Sequence, residues 1–327
     1  MTMREITYAE AIREALAEEM ARDSRVFLMG EDVGVYGGVF TATKGLLERF
    51  GPNQVRDTPI SEAAIAGAAV GMALMGMRPV ADIMYGDFTT IAMDQIVNNA
   101  AKMRYMFDGR VKVPMVLRTQ GGSGRGNGAQ HSQSLEAWFA HVPGLVVIQP
   151  STPYDAKGLM KSAIRDDNPV VFIEHKLLYF SKGMVPDTEY TVPIGKADVK
   201  RTGADVTVIA TQWMVPRALQ AAEALESGGI SAEVIDPRTL RPLDEETILE
   251  SVRKSGKVLV VHEAVTFGGI GAEIAATIMD KAFDSLDAPV MRLGGVDAPI
   301  PYSAPLEKAA VPSTDQIRDA VLRLVRG

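Results

Sequence analysis

The sequence predicts an α/β protein of two domains built on parallel sheets. Short apolar segments alternate with segments of helical period along most of the chain. The apolar segments carry few polar residues, as strands buried on both faces do, which argues parallel sheets with helices on either side. The alternation breaks from residue 182 to 203 into Pro, Gly, Asp and Lys without a period, then resumes. Residues 186–203 are therefore read as a linker between a first domain, 1–185, and a smaller second one, 204–327. A chain of 327 residues is long enough for about two domains with full cores.

In order, residues 7–22 repeat apolar positions at Ala11, Ile12, Ala15, Leu16 and Met20, the mark of an amphipathic helix. A buried strand is expected at 26–29, a glycine-containing loop to Gly38, a helix at 43–50 and a strand at 54–56. Strands at 79–84 and 113–118 flank a helix at 89–106. After the glycine-rich 121–128 come a helix at 134–140, a strand at 145–149, a helix at 153–165 and a strand at 170–174. Past the linker, strands at 206–210, 232–235, 258–261 and 290–293 alternate with helices at 216–227, 244–253, 268–283 and 314–325. The Pro-rich 297–305 reads as an ordered loop.

One stretch stands apart. Asp57-Thr-Pro-Ile-Ser-Glu62 precedes fifteen uncharged residues, 63–77. Pro59 and Ser61 are helix-start residues, which puts Glu62 in the first turn. Ala63, Gly67 and Gly71 form a small-residue row; a helical Gly costs about 1 kcal/mol against Ala, so close backbone approach is expected there. A helix apolar on every side is expected to be buried, and this one is shorter than the roughly 20 residues that span a bilayer. Glu62 is then a carboxylate at the mouth of a buried helix, costly without a proton or a polar partner. On spacing alone it either favours the helix dipole or serves as a functional acid.

Composition narrows the function. Apolar residues make up 46% and charged residues 23%, ordinary for a globular enzyme. A net charge of −7 with no basic run argues against a nucleic-acid partner. The absence of cysteine excludes disulfides, thiolate metal sites and cysteine nucleophiles, and fits a reducing compartment. No apolar run reaches membrane-spanning length, and Met-Thr-Met-Arg-Glu-Ile at the start lacks a signal core. A cytoplasmic protein without a membrane partner is expected.

The glycine loops invite a nucleotide reading that fails on position. Counting from Gly122, the sixth position of G-x-G-x-x-G is Asn127; from Gly269 it is Ile274, and no P-loop signature occurs. Of the four histidines, His131 stands at a loop-to-helix junction after a strand, where α/β enzymes keep sites. Site and structural readings are both open for it. His141 follows Trp138 and Phe139 as a helix-end residue, and His175 and His262 end strands. None has metal-ligand spacing and H-E-x-x-H is absent, so transition-metal catalysis is not expected.

Five segments together carry a resemblance: Asp57-Thr-Pro-Ile-Ser-Glu62, Asp94-Gln-Ile-Val-Asn98, Ala129-Gln-His-Ser-Gln-Ser134, Ser162-Ala-Ile-Arg-Asp-Asp-Asn-Pro169 and Asp297-Ala-Pro-Ile-Pro-Tyr302. Over nearly its whole length the chain resembles the beta subunit of the thiamine-diphosphate-dependent decarboxylating component of 2-oxo acid dehydrogenase complexes. The resemblance implies a thiamine-diphosphate-binding, pyrimidine-type α/β domain with a parallel sheet, followed by a smaller transketolase C-terminal-like α/β domain. It implies that Glu62 hydrogen-bonds a ring nitrogen of the cofactor's aminopyrimidine, favouring the imino tautomer that deprotonates the thiazolium carbon. By the same likeness Ile60, Met84 and Phe88 line the pyrimidine pocket and His131 faces the reacting carbon. For Ile60, Met84 and Phe88 the residue types alone read as plain core.

The Gly-Asp-Gly motif that binds Mg²⁺ at the cofactor's diphosphate is absent; Gly86-Asp87-Phe88 is the nearest approach. In heterotetrameric members of the family that motif belongs to the alpha subunit, so the chain looks like half of a site. The expected partners are an alpha subunit, in an α2β2 heterotetramer, and the lipoyl acyltransferase component that receives the acyl group. Pyruvate is the first substrate expected. Acetoin follows, on Glu174-His-Lys-Leu-Leu-Tyr179, and then branched-chain 2-oxo acids. A self-contained transketolase-like enzyme and a non-catalytic scaffold subunit are the alternatives. A K⁺ ion is implied where Ala163, Ile164, Asp166 and Asn168 end a helix, with Met115 supplying a carbonyl; a capped helix end stopped by Asn168-Pro169 accounts for the same residues.

Overall fold

The structure, a computed structural model, describes residues 2–326; positions 1 and 327, the outer ends of the expected domains, lie outside them. The chain packs into two compact units, Met1–Gly121 with Trp138–Ile194, and Gly122–Ala137 with Gly195–Gly327. The glycine-rich segment after residue 121 thus belongs to the second unit.

In the first unit, strand β1 (Met3–Thr7) leads into helix α1 (Tyr8–Arg22). Thr7 and Glu10 form a capping box: Glu10 N donates to the Thr7 hydroxyl at 3.2 Å, and Thr7 N to the Glu10 carboxylate at 2.8 Å. The strands β2 (Val26–Gly30), β3 (Val55–Asp57), β4 (Arg78–Ile83), β5 (Val116–Gly121), β6 (Val146–Ile148) and β7 (Val170–His175) follow. They lie in the order β6-β7-β5-β4-β2-β3, every neighbouring pair parallel. β2, β5 and β7 are buried at every position, as a sheet covered on both faces requires. The connections carry α2 (Leu46–Phe50), α3 (Glu62–Leu74), α4 (Ala101–Met106), α5 (Glu136–Ala140) and α6 (Pro153–Arg165). Buried Lys157 and Lys161 of α6 meet Glu14 and Glu18 of α1 at 2.9 and 2.8 Å, so the charges in that packing are compensated. Strand β8 (Lys182–Pro186) pairs antiparallel with β1.

The second unit holds β9 (Asp198–Arg201), β10 (Val206–Ala210), β11 (Ala232–Asp236), β12 (Thr239–Arg241), β13 (Val258–Val265) and β14 (Met291–Gly295). Its sheet runs β14-β13-β10-β11-β9, parallel except for the antiparallel edge strand β9. Helices α7 (Met214–Glu226), α8 (Glu245–Ser255), α9 (Ile270–Ala282), α10 (Ala304–Ala310) and α11 (Thr314–Arg326) complete it. α7 and α11 bury Ala218, Leu225, Ile317 and Val321 against Val208, Val234 and Leu259 of the sheet.

Four expectations are corrected. Residues 182–203 are not free of structure, since β8 and β9 fall there; β8 pairs from Met3↔Pro186 to Thr7↔Lys182, a partner at the far end of the unit's sequence that local composition cannot report. The helix at 89–106 is a 3₁₀ turn (Gly86–Ala92), a π segment (Gln95–Ala100) and α4. Asn98 and Asn99 donate back to Asp94 there, at 2.8 and 3.3 Å. A seven-residue helix, α10, begins inside the Pro-rich loop. Finally, α3 is buried on one face only. Ile65, Ala66, Ala69, Val70 and Ala73 are inside, while Ala64, Ala68, Gly71 and Met75 are exposed, Met75 at 85%. An Ala and Gly face exposes little apolar area, so leaving it in water costs little. A Cβ on Gly67 would sit 3.4 Å from the Gln95 side chain, and one on Gly71 would meet nothing within 4 Å. Among the described residues, neither position would bring a Cβ within 4 Å of backbone outside the helix.

Candidate active site

Parallel strands deliver the loops that follow β2, β3 and β4 to one edge of the first sheet, where α/β folds bind ligands. Glu31 follows β2 and Met84 follows β4. Asp57, at the end of β3, ties down the loop after β2: Gly34 N and Val35 N donate to its carboxylate at 2.6 and 3.1 Å. Ile60 is 80% exposed, and Met84 and Phe88 are half-buried, so none of the three is plain core. Ser61 takes the N-cap of α3 without a side-chain capping bond. Glu62 is the first residue of α3 and only 6% exposed. Among the described residues, its carboxylate has no hydrogen bond or ion pair.

Glu31 stands in its field. Burial first, and then the charges of Glu62, Asp82 and Asp32, push the Glu31 carboxyl up to about 7. One of its oxygens is buried without a partner. Beside it a cavity of about 10 Å³, bounded by Phe40, Asp82, Met84, Arg118 and Gln120, has room for about one water. Behind the cavity Arg118 is fully buried and ion-paired with Asp82 and with Glu174, the latter at 2.5 Å. Tyr179 donates to Glu174 at 2.5 Å, and Gln120 to Asp82 at 3.1 Å. Asp82 and Glu174 are therefore spoken for, whereas Glu31 and Glu62 are not. Spacing singled out Glu62 and missed Glu31, although Gly30-Glu31-Asp32 directly after a strand carried the same positional signal.

In the second unit, Gly122, Gly124, Gly126 and Gly128 all adopt positive φ, between 65° and 98°. Only glycine takes such angles without strain, so every second residue of this run has to be Gly for its backbone to follow that path. His131 follows, half-buried, with its N–H to Gly128 O at 3.4 Å. A cavity of about 520 Å³ opens beside the same segment, lined among others by Gln130, Ser132, Gln133, Glu263, Asp297 and Ile300.

The other histidines are structural or surface groups. His141 is exposed, and His175 is buried with Nδ1 accepting from Leu177 N at 3.2 Å. His262 is buried against Gly269, Gly271 and Gly294, where any Cβ would reach within 3 Å of its ring. Burial drives its pKa down to about 4. Ala163 and Ile164 lie in the last turn of α6, and Asp166 and Asn168 follow its carboxyl end. There Arg78 donates to the Ile164 and Asp166 carbonyls, at 2.9 Å each. Met115 O accepts from Val170 N at 2.9 Å, and the Asp166 carboxylate accepts from Asn168 N at 2.7 Å. No group of three or more His, Cys, Asp or Glu side chains among the described residues could hold a metal.

Two parallel-sheet units, the first with an unpartnered acid at its carboxyl edge, define a class. The transketolase pyrimidine-binding domain profile matches residues 4–182, and the transketolase C-terminal domain profile residues 195–317. With its relatives the chain belongs, more narrowly, to the beta-subunit family of 2-oxo acid dehydrogenases. It is 51% identical over 321 residues to the 2-oxoisovalerate dehydrogenase subunit beta of Bacillus subtilis, covering 98% of both chains. It is 50% identical over 324 residues to a mitochondrial pyruvate dehydrogenase E1 component subunit beta-2 of rice, covering 98% of this chain and 86% of that one. Among solved structures, a split gene transketolase in an inactive beta4 tetramer shares the fold, with a TM-score of 0.81 at 24% identity over 98% and 99% of the two chains.

Proposed function

We propose that this chain is the beta subunit of a thiamine-diphosphate-dependent 2-oxo acid dehydrogenase. It would decarboxylate a 2-oxo acid, pyruvate first, and pass the acyl group to the lipoamide of an acyltransferase partner. The observation that carries this is Glu62, a buried carboxylate with no partner among the described residues, at the carboxyl edge of a parallel sheet. Such a group is costly unless a ligand completes it. A ring nitrogen of an aminopyrimidine has the needed chemistry, so the residues present fit the cofactor. When bound, the cofactor supplies a carbanion centre that attacks a 2-oxo carbon. Glu62 would hold and share a proton at the ring nitrogen. Glu31, whose carboxyl burial pushes up to about 7, would keep a proton beside it near neutral pH. Exposed Ile60 and half-buried Met84 and Phe88 would supply the apolar walls. His131 would donate a proton or stabilise charge during acyl transfer.

The site needs a second chain. The diphosphate calls for Mg²⁺, and with no Gly-Asp-Gly here its ligands are assigned to an alpha subunit in an α2β2 assembly. At the end of α6, K⁺ would use the carbonyl lone pairs that Arg78 and Val170 leave unused on Ile164, Asp166 and Met115, with Ala163 and Asn168 completing the ring. A cytoplasmic location is proposed from composition. No helix among the described residues is long and apolar enough to cross a membrane.

Branched-chain acids are the second reading, favoured by the 51% identity to a 2-oxoisovalerate dehydrogenase subunit. Steady-state assays of the co-purified alpha–beta pair against pyruvate, branched-chain 2-oxo acids and acetoin decide between them. Highest kcat/KM on pyruvate is expected. Turnover of none of these substrates would point to the scaffold or transketolase-like alternatives.

A further inference from the structure

The glycine run before His131 has a ligand of its own. Both oxygens of the Glu307 carboxylate are occupied by it: Gly124 N donates to Oε1 at 2.7 Å and Gly126 N to Oε2 at 3.0 Å. Ser123 N donates to Glu263 Oε1 at 2.5 Å. Glu307 is 4% exposed and Glu263 9%. Alternating positive φ turns successive N–H groups toward one concave side, an arrangement that binds anions. The anion here is a side chain of the same unit. Gly128 closes the contact, since a Cβ there would come within 2.3 Å of the Tyr302 ring. Three residues on, His131 N bonds back to Gly128 O.

We infer that Glu307, assisted by Glu263 and by Tyr302 against Gly128, is the positioning residue that fixes the backbone presenting His131. The inference rests on the proposed role of His131. Its physical basis is the strength of carboxylate-to-amide bonds, roughly twice that of neutral ones. Without the clasp, a run with glycine at every second position has more backbone freedom than one with side chains at those positions, and His131 would inherit that freedom.

The test uses Arg125, which lies exposed between Gly124 and Gly126 and marks the loop for trypsin. In Glu307→Gln the side chain keeps its size, but one of its two acceptors becomes a donor facing an N–H. Cleavage after Arg125 in the assembled pair should quicken about tenfold, the effect of losing one charge-assisted bond, with cleavage elsewhere unchanged. Lipoamide-dependent kcat should fall about tenfold or more, with KM for the 2-oxo acid and affinity for thiamine diphosphate nearly unchanged. Glu307→Asp, one methylene short of spanning both amides, should fall between, and Glu263→Gln should show a milder version of the same split. A folded Glu307→Gln pair with wild-type cleavage at Arg125 would overturn the clasp. Faster cleavage with wild-type kcat would overturn its link to His131. A wild-type pair without any decarboxylation would instead refute the functional reading, which the proteolysis does not depend on.

Discussion

Replacing Glu62 with Gln exchanges one oxygen for nitrogen at the head of α3 and leaves size and packing alone. In the free chain the carboxylate has no partner among the described residues, so the change breaks no bond there. It also removes one of the charges that raise Glu31. The Glu31 carboxyl should then titrate lower, though still above its ordinary 4.5 because burial is the larger cause. Thermal stability should hold or rise. Catalysis should behave in the opposite way. An amide cannot share a ring proton, and losing a positioned acid–base group costs roughly 10²–10⁴ in rate, about 2.7–5.5 kcal/mol of barrier. The assay is decarboxylation by the assembled pair with thiamine diphosphate saturating, alongside calorimetric titration of the cofactor. A Gln variant that binds cofactor and keeps more than about a tenth of wild-type kcat would refute the role given to Glu62.

Three further outcomes are expected. His131→Ala should depress lipoamide-dependent turnover while leaving cofactor affinity intact; unchanged turnover would make the histidine structural. Glu31 has a folded pKa of about 7 against an ordinary 4.5, so its ionisation opposes folding, and the penalty grows as pH rises from 4.5 through 7. Glu31→Gln should therefore raise Tm more at pH 8 than at pH 5, and an equal shift at both would contradict the assignment. Melting in potassium against choline chloride at equal ionic strength should favour potassium; equal Tm values would count against a potassium site at the end of α6.

What was legible in the sequence had local causes. Apolar runs marked the buried strands β2, β7 and β10, and Pro153 to Arg165 was bounded correctly because Thr152 caps it and Asp155 N completes the cap at 3.2 Å. Glu62 stood out as one charge before fifteen uncharged residues. What was hidden depended on distant partners. β8 exists because β1 pairs with it. The exposed face of α3 could not be read from residues apolar on every side. The purpose of the glycine run was invisible because its anion, Glu307, lies far along the chain, just past the segment read as a loop. Motif counting rejected a nucleotide there without supplying the carboxylate.

The central claim, that this chain is half of a thiamine site, is tested most directly by titrating thiamine diphosphate into the chain alone and into its mixture with a cognate alpha subunit, with and without Mg²⁺. Alone, the chain should bind weakly and catalyse nothing: Glu62 engages one end of the cofactor, while the diphosphate meets no Mg²⁺ motif and a net charge of −7. Mixing should raise affinity and decarboxylation together, and only with Mg²⁺ present. Full activity from the isolated chain would contradict the account and make it a self-contained thiamine enzyme.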